Sequence, residues 1–227
     1  MSKSLVIFDL DGTLLDTIRD LGEATNHALE ATGYAPHALE AYPLFVGHGV
    51  RRLIERALPE DARTDAVIAR VREYFMEYYD KHATDNSHPY PGIPELLENL
   101  TDNGVKVAVA SNKYQRAVTE LITHFFPTIP WVAVEGQKEG VPVKPDPSVV
   151  FEILGKCPTP KEQVLYVGDS GVDMETARRA CVDSVGVTWG FRPVRELRQH
   201  QATHIVTLPA AIMPIVESDP GNVTPAW

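Results

Sequence analysis

The 227-residue chain has little cysteine: only Cys157 and Cys181. They form no CxxC pair and are too few for a disulfide framework. They read as two buried or half-buried thiols in a reducing compartment. Long apolar runs are missing as well. None approaches the roughly 18 residues that a membrane span requires. The N-terminus, MSKSLVIFDLDG, is too short and turns acidic too soon for a signal peptide. The expected location is the cytoplasm, away from membranes. Basic charge is also scarce. Lys and Arg total 21 against 31 Asp and Glu, for a net charge of −10. Nucleic acid is therefore excluded as the expected partner, because phosphate backbones need a basic face. A small anion is not excluded, since a local cation cluster or a metal can hold one. The histidines outside the turn at 46–52 show no metal spacing, which argues against a zinc site.

What is present is a regular alternation. Short runs rich in Val and Ile, at 4–11, 105–112, 131–136, 163–170, 183–190 and 203–208, read as strands. From residue 91 onward, helical patterns separate them: PGIPELLENLTDNG, YQRAVTELITHFF, DPSVVFEILGK and VDMETARRACV. Near-continuous apolar strands alternating with helices mean a parallel sheet covered on both faces. One interval breaks the rhythm. Between Asp16 and His88 only helical patterns occur, the first of them stopped by Gly33. An insertion of about 70 residues far exceeds an ordinary connection. The expected architecture is an α/β Rossmann-like parallel-sheet core, residues 1–15 and 89–227, with an inserted α-helical cap domain over 16–88. Because the insertion leaves from a strand's carboxyl end, where open α/β sheets bind ligands, it should sit over the site as a lid. The aromatic run YFMEYYDKH at 74–82 should form the core of that cap, an exposed aromatic face being the other reading, one that would support a dimer. The C-terminal ESDPGNVTPAW reads as a frayed tail.

The strand ends carry the chemistry. The first apolar strand runs into Asp9 and Asp11, two carboxylates one residue apart at a buried edge. Such a pair repels and costs several kcal/mol, of order, to desolvate. Something positive must lie between the two, or one must carry a proton. Ser111 and Asn112 end the second strand, Lys144 precedes a helix in VKPDP, and Asp169 and Asp173 follow the fourth strand. Taken singly, each has a bland reading as turn, cap or surface residue. Together they converge on one sheet edge.

DLDGTLLDT, ASNK, KPDP and GDSGVDM resemble, in order, the four signature motifs of the haloacid dehalogenase-like phosphatases. FVGHGVRRLIERAL and VGVTWGF are similar to the phosphoglycolate phosphatase-like branch. The resemblance implies a Mg²⁺-dependent phosphomonoesterase. Asp9 would be the nucleophile that becomes an aspartyl-phosphate, and Asp11 the general acid and then the base. Ser111 would hydrogen-bond a phosphoryl oxygen, and Lys144 would offset charge. The metal would be held by Asp9, the main-chain oxygen of Asp11, Asp169 and Asp173, the last directly or through water. Physical chemistry points the same way: a carboxylate nucleophile approaching an anionic phosphate needs a hard cation beside it. Gly12 allows the sharp turn that can present backbone N–H groups to phosphate.

The expected substrate contacts are Gly12, Thr13, Asn112 and Lys113, with His48 and Arg51 from the turn VGHGVRR at 46–52. A helix N-terminus and an arginine there suit a carboxylate such as that of 2-phosphoglycolate. The competing reading puts Arg51 and Arg52 on a solvated helix face and Lys113 in a solvated first helical turn. The partner is a small phosphorylated metabolite, and the protein a monomer or homodimer. Nucleoside monophosphates, pyrophosphate or sugar phosphates remain alternative substrates, phosphomutase chemistry an alternative reaction, and a non-catalytic binding protein an alternative class.

Overall fold

The computed structural model describes residues 2–218. In chain order the elements are β1 (Leu5–Phe8), β2 (Leu15–Asp16), α1 (Ile18–Ala31), α2 (Tyr42–Phe45), α3 (Gly49–Ala57), α4 (Asp65–His82), β3 (His88–Pro89), α5 (Ile93–Asp102) and β4 (Lys106–Tyr114). They continue with α6 (Gln115–Phe125), β5 (Ala133–Gln137), α7 (Ser148–Lys156), β6 (Val164–Gly168), α8 (Gly171–Ala180), β7 (Asp183–Val187), α9 (Val194–Gln199), β8 (His204–Val206) and α10 (Ile212–Glu217). Past Ser218 the tail lies outside the described residues.

Six strands form one parallel sheet in the order β5-β4-β1-β6-β7-β8. Its strands read as unbroken apolar runs because both faces are covered. Val6 and Phe8 of β1 point into a core shared with α5, α6 and α10. Leu5 and Ile7, alternating with them, pack on the opposite side against α7 and α8. Chain direction across the sheet reverses beside β1: β4 and β5 build outward on one side, β6 to β8 on the other. Ligands of open α/β sheets collect at such a switch point, outside the carboxyl ends of the strands. Phe8 is in register with Val109 and Val167, so Asp9, Ala110 and Gly168 lie side by side where β1 ends.

The helices α1 to α4 form a second core of their own. Leu21, Ala24, Ala28 and Leu29 line one face of α1, and Ile68, Val71, Phe75 and Tyr79 one face of α4, at helical spacing. Thr64 caps α4 by accepting the Val67 N–H. Of the aromatic run, Phe75 and Tyr79 are buried in this core. Cys181, expected to be at least half-buried, is exposed, because it closes α8 in the left-handed region at φ 59° and so turns away from the sheet.

The ends of the helical segment meet. Leu15 and Asp16 pair antiparallel with Pro89 and His88, a two-residue ribbon too short to leave a periodic signal. Beside it Asp20, only 2% exposed, lies in the first turn of α1. Its carboxylate accepts from the Asn86 backbone at 3.0 Å and side chain at 2.8 Å, and from the Ser87 N–H at 2.8 Å and hydroxyl at 2.7 Å. The helix N-terminus and these donors together satisfy the buried side chain. Replacing Asp20 by Ala strands those donors. Urea unfolding should show a loss of about 2–4 kcal/mol, with Asp20→Asn losing less. An unchanged midpoint in Asp20→Ala would dismiss this staple as energetically idle.

Candidate active site

Four loops bring the site together. Asp9 follows β1, where its Oδ1 accepts the Leu10 N–H at 2.7 Å. Asp169 follows β6 and accepts the Phe191 N–H at 2.6 Å. Asp173 lies in the first turn of α8. Its side chain and that of Ser170 form a reciprocal capping box, in which the Ser170 hydroxyl donates to Asp173 Oδ2 at 2.5 Å. Oxygens of Asp9, Asp169 and Asp173, all buried, lie within 4.8 Å of one another.

Lys144 reaches this group from the loop before α7. Its ammonium, 3% exposed, contacts Asp173 Oδ1 at 2.7 Å, Asp9 Oδ1 at 2.9 Å and the Ala110 carbonyl at 2.9 Å. All three N–H donors are used. Burial works against a charged Lys144, but Asp173 and Asp9 outweigh it and hold the ammonium well above its usual range. One lysine does not balance three carboxylates. Burial, and then the charge of Asp173, push the Asp9 carboxyl up to about 7 against the relief that Lys144 gives. Asp169 is raised too, by burial and then by Asp173 and Asp9. The site is short of positive charge, and every donor it presents is a hard oxygen. A divalent cation of the Mg²⁺ or Ca²⁺ type fits that donor set.

Asp11 stands apart from the three. Lys113 Nζ contacts its two oxygens at 2.9 and 3.2 Å, and the Thr17 hydroxyl donates to Oδ1 at 2.6 Å. Lys113 is not in a helix but at the end of β4, where the register with β5 breaks between Ala110 and Tyr114. It is 7% exposed and lies 4.7 Å from the Tyr79 ring centroid, so the solvated-lysine reading does not hold. Ser111 is buried beside it, its hydroxyl accepting the Lys113 N–H at 3.2 Å.

Other expected contacts fall elsewhere. Asn112 faces the cleft, but its amide is fully engaged. Nδ2 donates to the Gly47 and Lys144 carbonyls at 3.1 and 3.0 Å, and Oδ1 accepts the Lys144 N–H at 2.8 Å. It clamps the lysine loop and the 46–49 turn rather than offering free donors. Gly12 has φ 82°, and a Cβ there would come within 2.5 Å of Asp169 Oδ2. Its N–H, expected to face a phosphate, instead closes the turn onto the Leu15 carbonyl at 2.9 Å. Thr13 is fully buried beneath the cleft, its carbonyl accepting the Trp189 indole N–H at 3.1 Å. Arg51 points to solvent, paired with Asp65 at 2.5 Å. Val50, Leu53, Ile54 and Ala57 turn inward, and that phase puts position 51 on the outer face. His48 sits beside the cleft without lining it. Burial, and then the nearby charges of Arg56 and Arg192, lower its pKa.

These groups surround a cleft of roughly 660 Å³, counting its mouth. Its floor is Asp9, Asp11, Ser111, Lys113, Lys144 and Asp169, and its roof is apolar, with Leu21, Val50, Leu53 and Phe75 from the helical insertion. Phe191 and Arg192, on the loop after β7, close one side. Sequence reading passed over Tyr79 and Arg192 as contacts. The only signal was that Arg192 follows directly on the VGVTWGF stretch.

A parallel α/β sheet that presents a charge-deficient carboxylate cluster at its switch point, under an apolar roof, defines an enzyme cleft built for a cation and a small anion. Comparison with known proteins places it further. Residues 6–187 match the haloacid dehalogenase-like hydrolase family, and the chain belongs to that family. It is 36% identical over 192 residues to the phosphoglycolate phosphatase of Agrobacterium fabrum, covering 84% of this chain and 82% of that one. It is 32% identical over 209 residues to that of Mesorhizobium japonicum, covering 91% and 92%. Among solved structures, a candidate phosphoglycolate phosphatase from Lactobacillus delbrueckii subsp. bulgaricus superposes with a TM-score of 0.89 at 36% identity, covering 95% of this chain and 99% of that one. Among the described residues no helix is long and apolar enough to cross a membrane.

Proposed function

We propose that this protein is a Mg²⁺-dependent phosphatase of small phosphomonoesters, acting on 2-phosphoglycolate through an aspartyl-phosphate on Asp9. The observation that carries the reading is the Lys144–Asp9–Asp173–Asp169 cluster, with Asp11 held separately beside it. The curated relatives, whose names give the substrate, support the choice of 2-phosphoglycolate. Asp9 and Asp169, with Asp173 and the main-chain oxygen of Asp11, would hold the metal. When bound, it supplies positive charge beside the phosphoryl oxygens.

The chain's residues divide the chemistry. Lys144 holds the Asp9 carboxylate in place. An Asp9 oxygen attacks phosphorus; the bond to the ester oxygen breaks, and that oxygen takes its electron pair and a proton from Asp11. Asp11, now ionised, removes a proton from water as the water oxygen attacks phosphorus and Asp9 departs. Ser111 is positioned to donate to a phosphoryl oxygen, and Lys113 and Thr17 aim the Asp11 carboxyl. The insertion acts as a cap. Its roof excludes water from the acyl phosphate when closed, with the Asn112–Gly47 contact tying it to the sheet edge. With both cysteines free, the reducing cytoplasm is the compartment that suits the chain.

The test is phosphate release from 2-phosphoglycolate, a nucleoside monophosphate, pyrophosphate and a sugar phosphate, each with Mg²⁺ and with EDTA. Release should need the cation and be fastest on 2-phosphoglycolate. A preference for any other compound would discard the substrate, and release from none of them would discard the phosphatase reading.

A further inference from the structure

Three cations line the cleft, and two are already committed: Lys144 to Asp9 and Asp173, and Lys113 to Asp11. The third is Arg192. Its side chain is 12% exposed, and the nearest carboxylate, Glu196, is 3.9 Å from Nε, beyond hydrogen-bond reach. Its one close partner among the described residues is neutral, the Val46 carbonyl, to which Nη2 donates at 3.2 Å. A nearly buried guanidinium with five donors and one neutral acceptor has capacity left over. The roof of the same cleft is hydrocarbon, with Leu21, Val50 and Leu53 offering nothing to an anion. On α4, the fully buried Tyr79 lines the same cleft, and its hydroxyl has no hydrogen-bond partner among the described residues. Such a hydroxyl is costly to leave unmatched.

We propose that Arg192, with the Tyr79 hydroxyl as second donor, binds the carboxylate of the substrate's leaving group and so selects a phosphomonoester with an anionic leaving group over one whose leaving group is neutral. This rests on the phosphatase reading above. It moves anion recognition from the 46–52 turn of the insertion, where Arg51 faces solvent, to the loop after β7. Because Phe191, the preceding residue, donates to Asp169, that loop ties recognition of the leaving group to the carboxylate cluster. The chemical class selected is a short 2-phospho-carboxylic acid. A bulky sugar or nucleoside offers no carboxylate and would have to displace the apolar roof.

The experiment compares 2-phosphoglycolate with 2-hydroxyethyl phosphate, in which CH2OH replaces the carboxylate, for wild type, Arg192→Met, Arg192→Lys and Tyr79→Phe. In Arg192→Met, kcat/KM for 2-phosphoglycolate should fall about 30- to 100-fold, as expected for losing a desolvated charge-assisted pair, and change less than about threefold for 2-hydroxyethyl phosphate. Arg192→Lys should recover part of the preference, and Tyr79→Phe should lose about five- to tenfold of it. Activity on 2-hydroxyethyl phosphate also shows that each variant is folded. An equal fall on both esters would mean that Arg192 only anchors the 46–49 turn, and an unchanged ratio would mean that the carboxylate is read elsewhere. Either result overturns the proposal while wild type still hydrolyses 2-phosphoglycolate. Failure of wild type on both esters would instead overturn the choice of 2-phosphoglycolate as substrate, and this proposal with it.

Discussion

Asp9→Asn is expected to abolish phosphate release, by at least about 10⁴-fold, while leaving the protein folded. The amide has nearly the shape of the carboxylate and can keep the Leu10 N–H as donor to its oxygen. It cannot attack phosphorus. The same change should make the metal-free protein more stable, which separates it from an ordinary damaging substitution. Asp9 is held at about 7, above its value of 3.8 in an unfolded chain, first by burial and then by Asp173. A carboxyl raised in the folded state costs nothing below the lower value. Its penalty grows as pH rises between the two, and is complete above about 7. The penalty is a few kcal/mol, roughly. Thermal unfolding in EDTA at about pH 8 should therefore show Asp9→Asn melting above wild type, the gap closing towards about pH 4. Added Mg²⁺ should reverse the order, because wild type gains the ion and the variant loses one of its ligands. Residual turnover within tenfold of wild type would remove Asp9 from the nucleophile's role. A variant melting below wild type in EDTA at high pH would refute the charge-deficit account of the cluster.

Most of the sheet was legible because its strands announce themselves. Val6-Ile7-Phe8 and the Val107–Ala110 run are apolar on both faces, and each ends in polar residues where the sheet stops. Asp9, Lys144, Asp169 and Asp173 were readable for the same reason: each sits where an apolar run gives out or a helix begins. Other features leave no such mark. The β2–β3 ribbon is two residues on each side, held by pairing of Leu15 with Pro89 and Asp16 with His88 across the whole helical segment, a separation that no local pattern encodes. The short helices α9 and α10, six residues each, run less than two turns and show no clear apolar stripe. Of the two readings of Arg51 the solvated one holds, and the information for it is in the sequence: Val50, Leu53, Ile54 and Ala57 fix the inner face of α3, and position 51 falls outside it. Arg192 could not be found from local sequence. Its importance comes from what surrounds it, an apolar roof contributed by helices far away in the chain, and from the prior commitment of Lys113 and Lys144.

Lys144→Met should be the most destabilising single change in the site when no cation is present. The lysine is the shared partner of Asp9 and Asp173, and the Ala110 carbonyl accepts its third N–H. Removing one member of a buried ion cluster leaves the others uncompensated, at a cost of about 3–5 kcal/mol. The loss should depend on pH in a definite direction. Without the lysine, Asp9 and Asp169, already raised, are pushed further up, so protonation relieves the folded state and the penalty grows as pH rises. Urea unfolding in EDTA should show a smaller deficit at about pH 5 than at about pH 8. Mg²⁺ should restore part of the stability at the higher pH by supplying the missing charge, yet restore little activity. The ion does not replace an ammonium that fixes the orientation of Asp9, and phosphate release should stay about 10³-fold down. Asp173→Asn separates pairing from packing. Placed in the Lys144→Met background, it should recover stability, since a neutral amide needs no cation, and by more than it changes the stability of wild type, where Lys144 still offsets the charge. Additive effects of the two substitutions would mean that the lysine is held for its hydrocarbon stem and not for its charge. Cation dependence of the site would then rest on the carboxylates alone.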